Sequence, residues 1–148
     1  MSRKVARNAA MQMIYEHLQG GEGGEETLLM VYDQLRNEGT AHLDQEDPDV
    51  SDRAFIQNVF QGVMDHLDEL DAEIEKFSTW PLDRLSLVDL TIMRMAVWEI
   101  LFENDPDVPG SVAISEAVEL TKTYSDPEDG RFVNGILGSV LRAKEGKA

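Results

Sequence analysis

Ala113-Ile-Ser-Glu-Ala-Val-Glu-Leu-Thr-Lys122, a Pro/Asp/Gly break, and then Arg131-Phe-Val-Asn-Gly-Ile-Leu137 are the runs that decide the fold class. Apolar residues recur in both every three or four positions, the period of an amphipathic helix. In the first run Ile114, Ala117, Val118 and Thr121 form the inward face, and Ser111 is the candidate cap. The second run extends from about Gly130 to Ala143 and turns Phe132, Val133, Ile136, Leu137 and Val140 inward. Gly135 and Gly138 would each cost roughly 1 kcal/mol relative to alanine inside that helix. They predict a neighbouring helix backbone in close approach. Asn134 shares a face with Arg131, Gly138 and Arg142 and reads as a helix-packing hydrogen-bonder.

Working outward, the spacing stays helical between Gly20–Gly24, Gly39, Pro48, Pro81, Pro106–Gly110 and Pro127–Gly130. Val5, Ala6, Ala9, Met13 and His17 line one side of a first helix, and Leu28, Leu29, Tyr32 and Leu35 or Arg36 outline a second. Phe55, Val59, Val63, Leu67, Leu70 and Ile74 predict one long third helix, capped at Ser51-Asp-Arg. Leu82 to Phe102 is apolar around most of its circumference, which predicts a central helix buried on several sides. Gly20–Gly24 reads as a flexible linker. No run alternates as a strand, so the fold class is all-α.

A length of 148 residues suits a single domain. The chain has no cysteine, which removes disulfides and thiolate metal sites and fits a reducing cytoplasm. Arg7, Asn8, Gln12 and Glu16 interrupt any signal core, and no run approaches the roughly twenty apolar residues of a membrane span. A soluble, cytoplasmic protein is expected. The net charge of -16 disfavours nucleic-acid binding overall, because phosphate affinity is driven by cations. The bases, however, gather at the ends: Arg3, Lys4 and Arg7 at one, and Arg131, Arg142, Lys144 and Lys147 at the other. A charge-segregated molecule can bind RNA on one face while the acidic centre stays in water.

On a helical wheel Lys4, Asn8, Gln12 and Tyr15 fall in one arc, opposite the side of Ala6, Ala9, Ala10 and Met13. One cation, two amides and an aromatic ring suit single-stranded RNA: phosphate neutralised, base edges read, a base stacked. The same stripe also reads as a polar helix face with a half-buried tyrosine. Arg131 opens the last helix, where the macrodipole disfavours a cation by a few tenths of a kcal/mol unless an anion sits there. Asp126, Glu128 and Asp129 could supply that anion internally. Arg94, within an apolar helix, needs a partner, with Glu116 or Glu119 as candidates. Asp65, His66, Asp68, Glu69 and Asp71 read as a charged outer face rather than a metal site. Gly20–Gly24 lacks the Lys-Ser/Thr of a phosphate loop, and no nucleophile elbow is visible.

The two C-terminal runs, in that order, resemble the signature of the transcription antitermination factor NusB family. Ala6-Arg-Asn-Ala-Ala-Met-Gln-Met-Ile-Tyr15 looks like that family's RNA-contacting opening, with Arg7, Ala10, Gln12 and Tyr15 at its spacing, and Leu85 to Leu101 joins the likeness. Glu38 to Asp52 is the least matched. The resemblance implies two small helical bundles of about six to seven helices in one RNA-binding domain spanning 1–148. It implies a non-enzymatic factor without a cofactor or metal. Such a factor pairs with the ribosomal protein NusE, binds box A RNA of nascent ribosomal transcripts and joins the RNA polymerase antitermination complex. By the same resemblance Arg3, Lys4, Arg7, Asn8, Gln12, Tyr15, Arg131 and Phe132 are RNA contacts, and Asp89 contacts the protein partner. Ser115 and Thr121 depart from the family's usual Asn and Ala. With the acidity, they support the alternative of an acidic protein-interaction module, monomeric or homodimeric, without strong RNA binding.

Overall fold

The computed structural model describes residues 3–21, 28–30, 33, 50–103 and 105–146. All regular structure among them is helical, and the chain divides into two compact units, Met1–Gln61 and Gly62–Ala148.

In the first unit α1 (Arg3–Leu18) buries every residue from Val5 to Met11, then Met13 and Ile14. Three alanines on one face (Ala6, Ala9, Ala10) let neighbours approach closely enough to cover adjacent positions as well. His17 lies at the exposed end of that face, its ring edge-on to Phe60 at 5.3 Å. The helix is stopped by a left-handed residue, Gly20, at φ 99. Gly20 N and Gly21 N bond back to the carbonyls of His17 and Glu16, the pattern that satisfies a helix C-terminus. Gly20 is thus a helix stop; Glu22–Gly24 lie outside the described residues, as do Tyr32, Leu35 and Arg36 of the second expected helix. Residues 28–30 are helical, with Leu28 buried but Leu29 exposed, so Leu29 does not belong to the inward face. The next helix, α2 (Val50–Asp65), starts one residue before Ser51, which places Ser51-Asp-Arg inside its first turn rather than before it.

The expected long third helix is two helices. Its break falls at His66, which leaves helical geometry at φ -126, ψ 20 between α2 and α3 (Leu67–Phe77). His66 N bonds only as far back as Val63 O, its ring Nδ1 lies 2.8 Å from Gly62 O, and its ring packs on Phe102 at 4.1 Å. The imidazole competes with the backbone for a helical carbonyl, a local hydrogen bond that periodicity of apolar residues does not register.

A 3-10 turn (Leu82–Arg84) leads to α4 (Leu87–Trp98), and a π-helical turn (Glu99–Glu103) follows it. Only Arg94 escapes full burial between Asp89 and Trp98, so this is the central helix that the apolar circumference predicts. It packs against α3, α5 (Gly110–Tyr124) and α6 (Asp129–Lys144). Arg94 makes a two-pronged bond to Asp71, Nε to Oδ1 at 2.6 Å and a terminal nitrogen to Oδ2 at 2.9 Å. Neither Glu116 nor Glu119 is its partner: the helix that faces it is α3. Ser111 does not cap α5; Pro109 precedes the first turn, and its carbonyl accepts from Val112 N and Ala113 N. Thr121 is buried with its hydroxyl donating to Ala117 O and Val118 O, so a polar atom where alanine would serve is satisfied within its own helix.

The glycines pack differently from the expectation. A Cβ at Gly135 would meet nothing within 4 Å, and one at Gly138 would meet only the Arg142 side chain at 3.2 Å. Close approach occurs instead at Gly110, where a Cβ would lie 2.5 Å from Leu141 Cδ1, and at Gly62, where it would collide with the Trp98 ring. No helix among the described residues is long and apolar enough to cross a membrane.

Candidate functional site

The expected RNA stripe on α1 is graded in exposure. Lys4 is exposed, while Gln12 and Tyr15 are half-buried. Asn8 is only 4 % exposed and Arg7 only 6 %. Arg7, one of the expected RNA contacts of the basic end, is thus buried: its guanidinium carbon lies 5.8 Å from the Phe55 ring centroid, on α2. A guanidinium held on an aromatic face keeps a cation stable away from water. Asn8 is unusual, because its buried Oδ1 has no hydrogen-bond partner. The Arg3 side chain is not among those described.

In the second unit Arg131 and Phe132 do not form one contact surface. Adjacent residues on a helix point about 100° apart. Arg131 is exposed and lines a cleft of about 640 Å³ with Lys122, Glu128 and Asn134. Asn134 is exposed there, so it does not hydrogen-bond between helices as its position suggested. Phe132 is half-buried in another cleft, of about 480 Å³, walled by Trp80, Arg84 and Leu85.

Asp89 lies in that second cleft with Asp129 of α6. Ser86 N-caps α4 by accepting from Asp89 N at 3.0 Å, which fixes Asp89 in the first turn. On the facing element Ser125 Oγ donates to Asp129 Oδ2 at 3.2 Å and holds that carboxylate in the first turn of α6. Asp89 is no solvated surface acid: it is 4 % exposed, and its Oδ1 is buried without a hydrogen-bond partner. Burial pushes its carboxyl up to about 6, the Asp129 carboxyl adds to the rise, and the Ser125 and Ser86 hydroxyls pull the other way. Trp80 and Arg84 had no place in the sequence reading, and Asp129 entered it only as a possible internal anion for Arg131. Ser86-x-x-Asp89 is a capping signature that announces the turn, but nothing local announces that Asp129 will face it across two helices.

Of the run read as a charged outer face, Asp65, Asp68 and Glu69 are exposed, but Asp71 turns to pair with Arg94 and the His66 ring packs on Phe102; no group of metal-binding residues occurs among the described residues. The polar features lie on helix faces and in two open clefts of an all-helical protein, an arrangement suited to binding. The chain belongs to the NusB family, whose sequence profile matches residues 4–142. It is 42 % identical over 145 residues to the transcription antitermination protein NusB of Acetivibrio thermocellus, covering 97 % of this chain and 91 % of that one. NusB of T. maritima superposes with a TM-score of 0.76 at 28 % identity, covering 96 % of this chain and 92 % of the other. A further likeness, TM-score 0.74 at 26 % identity, is to a chain in a crystal structure of antitermination factors NusB and NusE in complex with dsRNA; it covers 95 % of this chain and 96 % of that one. The family is one of antitermination factors, not enzymes.

Proposed function

We propose that this chain pairs with the ribosomal protein NusE and binds box A RNA of nascent ribosomal transcripts, helping RNA polymerase read through terminators in a cytoplasmic complex. The observation that carries the reading is the likeness, over nearly the full length, to a chain crystallised with NusE and RNA. Lys4, Gln12 and Tyr15 are the α1 side chains with access to a strand, and Asn8 offers an unpaired amide oxygen beneath them. Arg131, beside Lys122, supplies phosphate contacts from the second unit, and Phe132 stacks or packs at the mouth of its own cleft. Arg7 chiefly holds α1 through Phe55, and Arg3 adds charge at the chain end. Asp89 receives the protein partner through the cleft that it floors. Two modest surfaces engaged together bind more tightly than either alone.

Titration of a single-stranded box A RNA, a scrambled strand and the matching duplex, each with and without the ribosomal protein, tests this. Tightest binding is expected for box A strand plus partner. Equal affinity for box A and scrambled strands, with the ribosomal protein still bound, would favour the acidic interaction module, a reading that the burial of Arg7 and Asn8 supports.

A further inference from the structure

In the cleft between α5 and α6, two side chains have nothing to hold. Arg131 stands in the first turn of α6, where the macrodipole disfavours a cation. Asp126, Glu128 and Asp129 lie just before it, yet none of them pairs with it. Asp126 Oδ1 accepts from Glu128 N at 3.0 Å, and Asp129 Oδ2 accepts from Ser125 Oγ at 3.2 Å. Among the described residues the side chains of Arg131 and Asn134 make neither a hydrogen bond nor an ion pair. Lys122, across the cleft on α5, meets Glu119 at 3.4 Å, a contact between two exposed side chains that leaves its charge available. Arg131 and Asn134 are neighbours on one face of α6, at the spacing that brings helix side chains together. The floor beneath them is apolar: Gly130 is buried, and a Cβ there would be in ordinary contact with Val118 Cγ1 at 3.5 Å. A volume of about 640 Å³ suits one nucleotide, since small-ligand sites run from roughly 300 to 1,000 Å³.

We infer that this cleft takes up one nucleotide of the bound RNA with its base turned inward, Arg131 and Lys122 holding the phosphate while the Asn134 amide reads the base edge, so that Asn134 is a specificity-determining residue. The inference rests on the reading that the chain binds single-stranded RNA, and it adds a base-reading group in the second unit and a place for the base. Single strands are recognised through splayed-out bases whose edges stay open to hydrogen bonding. A primary amide offers a donor beside an acceptor, the pattern that an unpaired base edge presents in return. Val118 gives the ring an apolar wall. Charge alone would not select a strand here. Lys122 and Arg131 against Glu128 leave one net positive charge on the lining, and exposure to water weakens it further. Selectivity therefore falls to a neutral contact, and Asn134 is the only neutral hydrogen-bonding side chain among the lining residues described.

The test uses the full chain with purified NusE, titrated with box A strands in which one nucleotide at a time is made abasic while its sugar and phosphate are kept. Asn134→Ala should bind the intact strand about tenfold more weakly than wild type. At one position, removing the base should cost the wild type about tenfold more than it costs the variant, and elsewhere the two proteins should lose equally. Asn134→Asp, similar in size but without the amide donors, should weaken the intact strand at least as much. Lys122→Ala should keep the base preference and flatten the slope of log affinity against log salt by roughly 0.7. All three side chains replaced are exposed, so melting should be unchanged and shows that each variant is folded. An intact strand bound equally by wild type and Asn134→Ala, or a loss that is the same whichever base is missing, overturns the inference and leaves RNA binding standing. Equal binding of box A and scrambled strands by the wild type overturns the reading beneath it as well. If Asn134→Ala weakens the binding of NusE in the absence of RNA, the cleft is a protein surface and the inference is wrong.

Discussion

Asp89 illustrates how much one buried carboxyl controls. Its folded value is about 6, against the ordinary carboxylate range near 4 in the unfolded chain, so the folded state retains a proton after the unfolded state has released it. The stability from that proton is full below about pH 4 and is lost as pH rises through 6. Wild-type protein should therefore gain on the order of 1 kcal/mol on acidification from pH 7 to pH 5 beyond any gain shown by Asp89→Asn. Parallel thermal melts of the two proteins measure it, and the comparison cancels the general relief of repulsion in a chain of net charge -16. Identical pH profiles would mean that Asp89 titrates like a surface acid. Arg94 makes the opposite case. Its two-pronged bond to Asp71 is mostly buried, and Asp71→Ala would leave the guanidinium without its carboxylate. A loss of roughly 2–3 kcal/mol is expected in denaturant unfolding, somewhat under the cost of breaking a wholly buried pair.

At the scale of the element, two glycines with similar sequence surroundings should respond in opposite directions. Gly62→Ala would drive a methyl group into the Trp98 ring, and since the ring is packed in the core, roughly 1–3 kcal/mol of destabilisation should follow. Gly135→Ala points into open space within a helix and should stabilise by about 0.5–1 kcal/mol. Melting temperatures moving apart in this way would establish where helices touch. The helical class, the buried circumference of α4, and the inward faces of α5 and α6 apart from the half-buried Val118 and Phe132 were legible because apolar period reports burial directly. Three features were not. The break at His66 depends on a side chain bonding a carbonyl one turn back. The partner of Arg94 depends on which helix folds beside α4. The burial of Arg7 and Asn8 depends on small alanines letting neighbours close over a face that the wheel marks as polar. The first is a local bond that apolar periodicity does not register; the other two are tertiary, and no local pattern carries them.

For the whole molecule the question is how, on the proposed function, a chain of net charge -16 would hold an anionic strand. The answer has to lie in a few exposed cations, because an acidic surface beyond a Debye length of about 8 Å is largely screened at physiological salt. Lys4 in the first unit and Arg131 in the second are both exposed, whereas Arg7 is not. If both touch one strand, removing either cation should flatten the slope of log affinity against log salt by roughly 0.7. Lys4→Ala and Arg131→Ala should each do so with unchanged melting, and the double variant should flatten it by about 1.4. Arg7→Ala should behave differently, lowering the melting temperature because its packing on Phe55 disappears, and changing the slope little. Binding isotherms from low to high salt, read alongside melts of the same four proteins, distinguish the outcomes. A slope that responds to Arg7 but ignores Lys4 would move the strand off the exposed end of α1. A double variant no flatter than either single one would mean that only one of the two units meets the RNA.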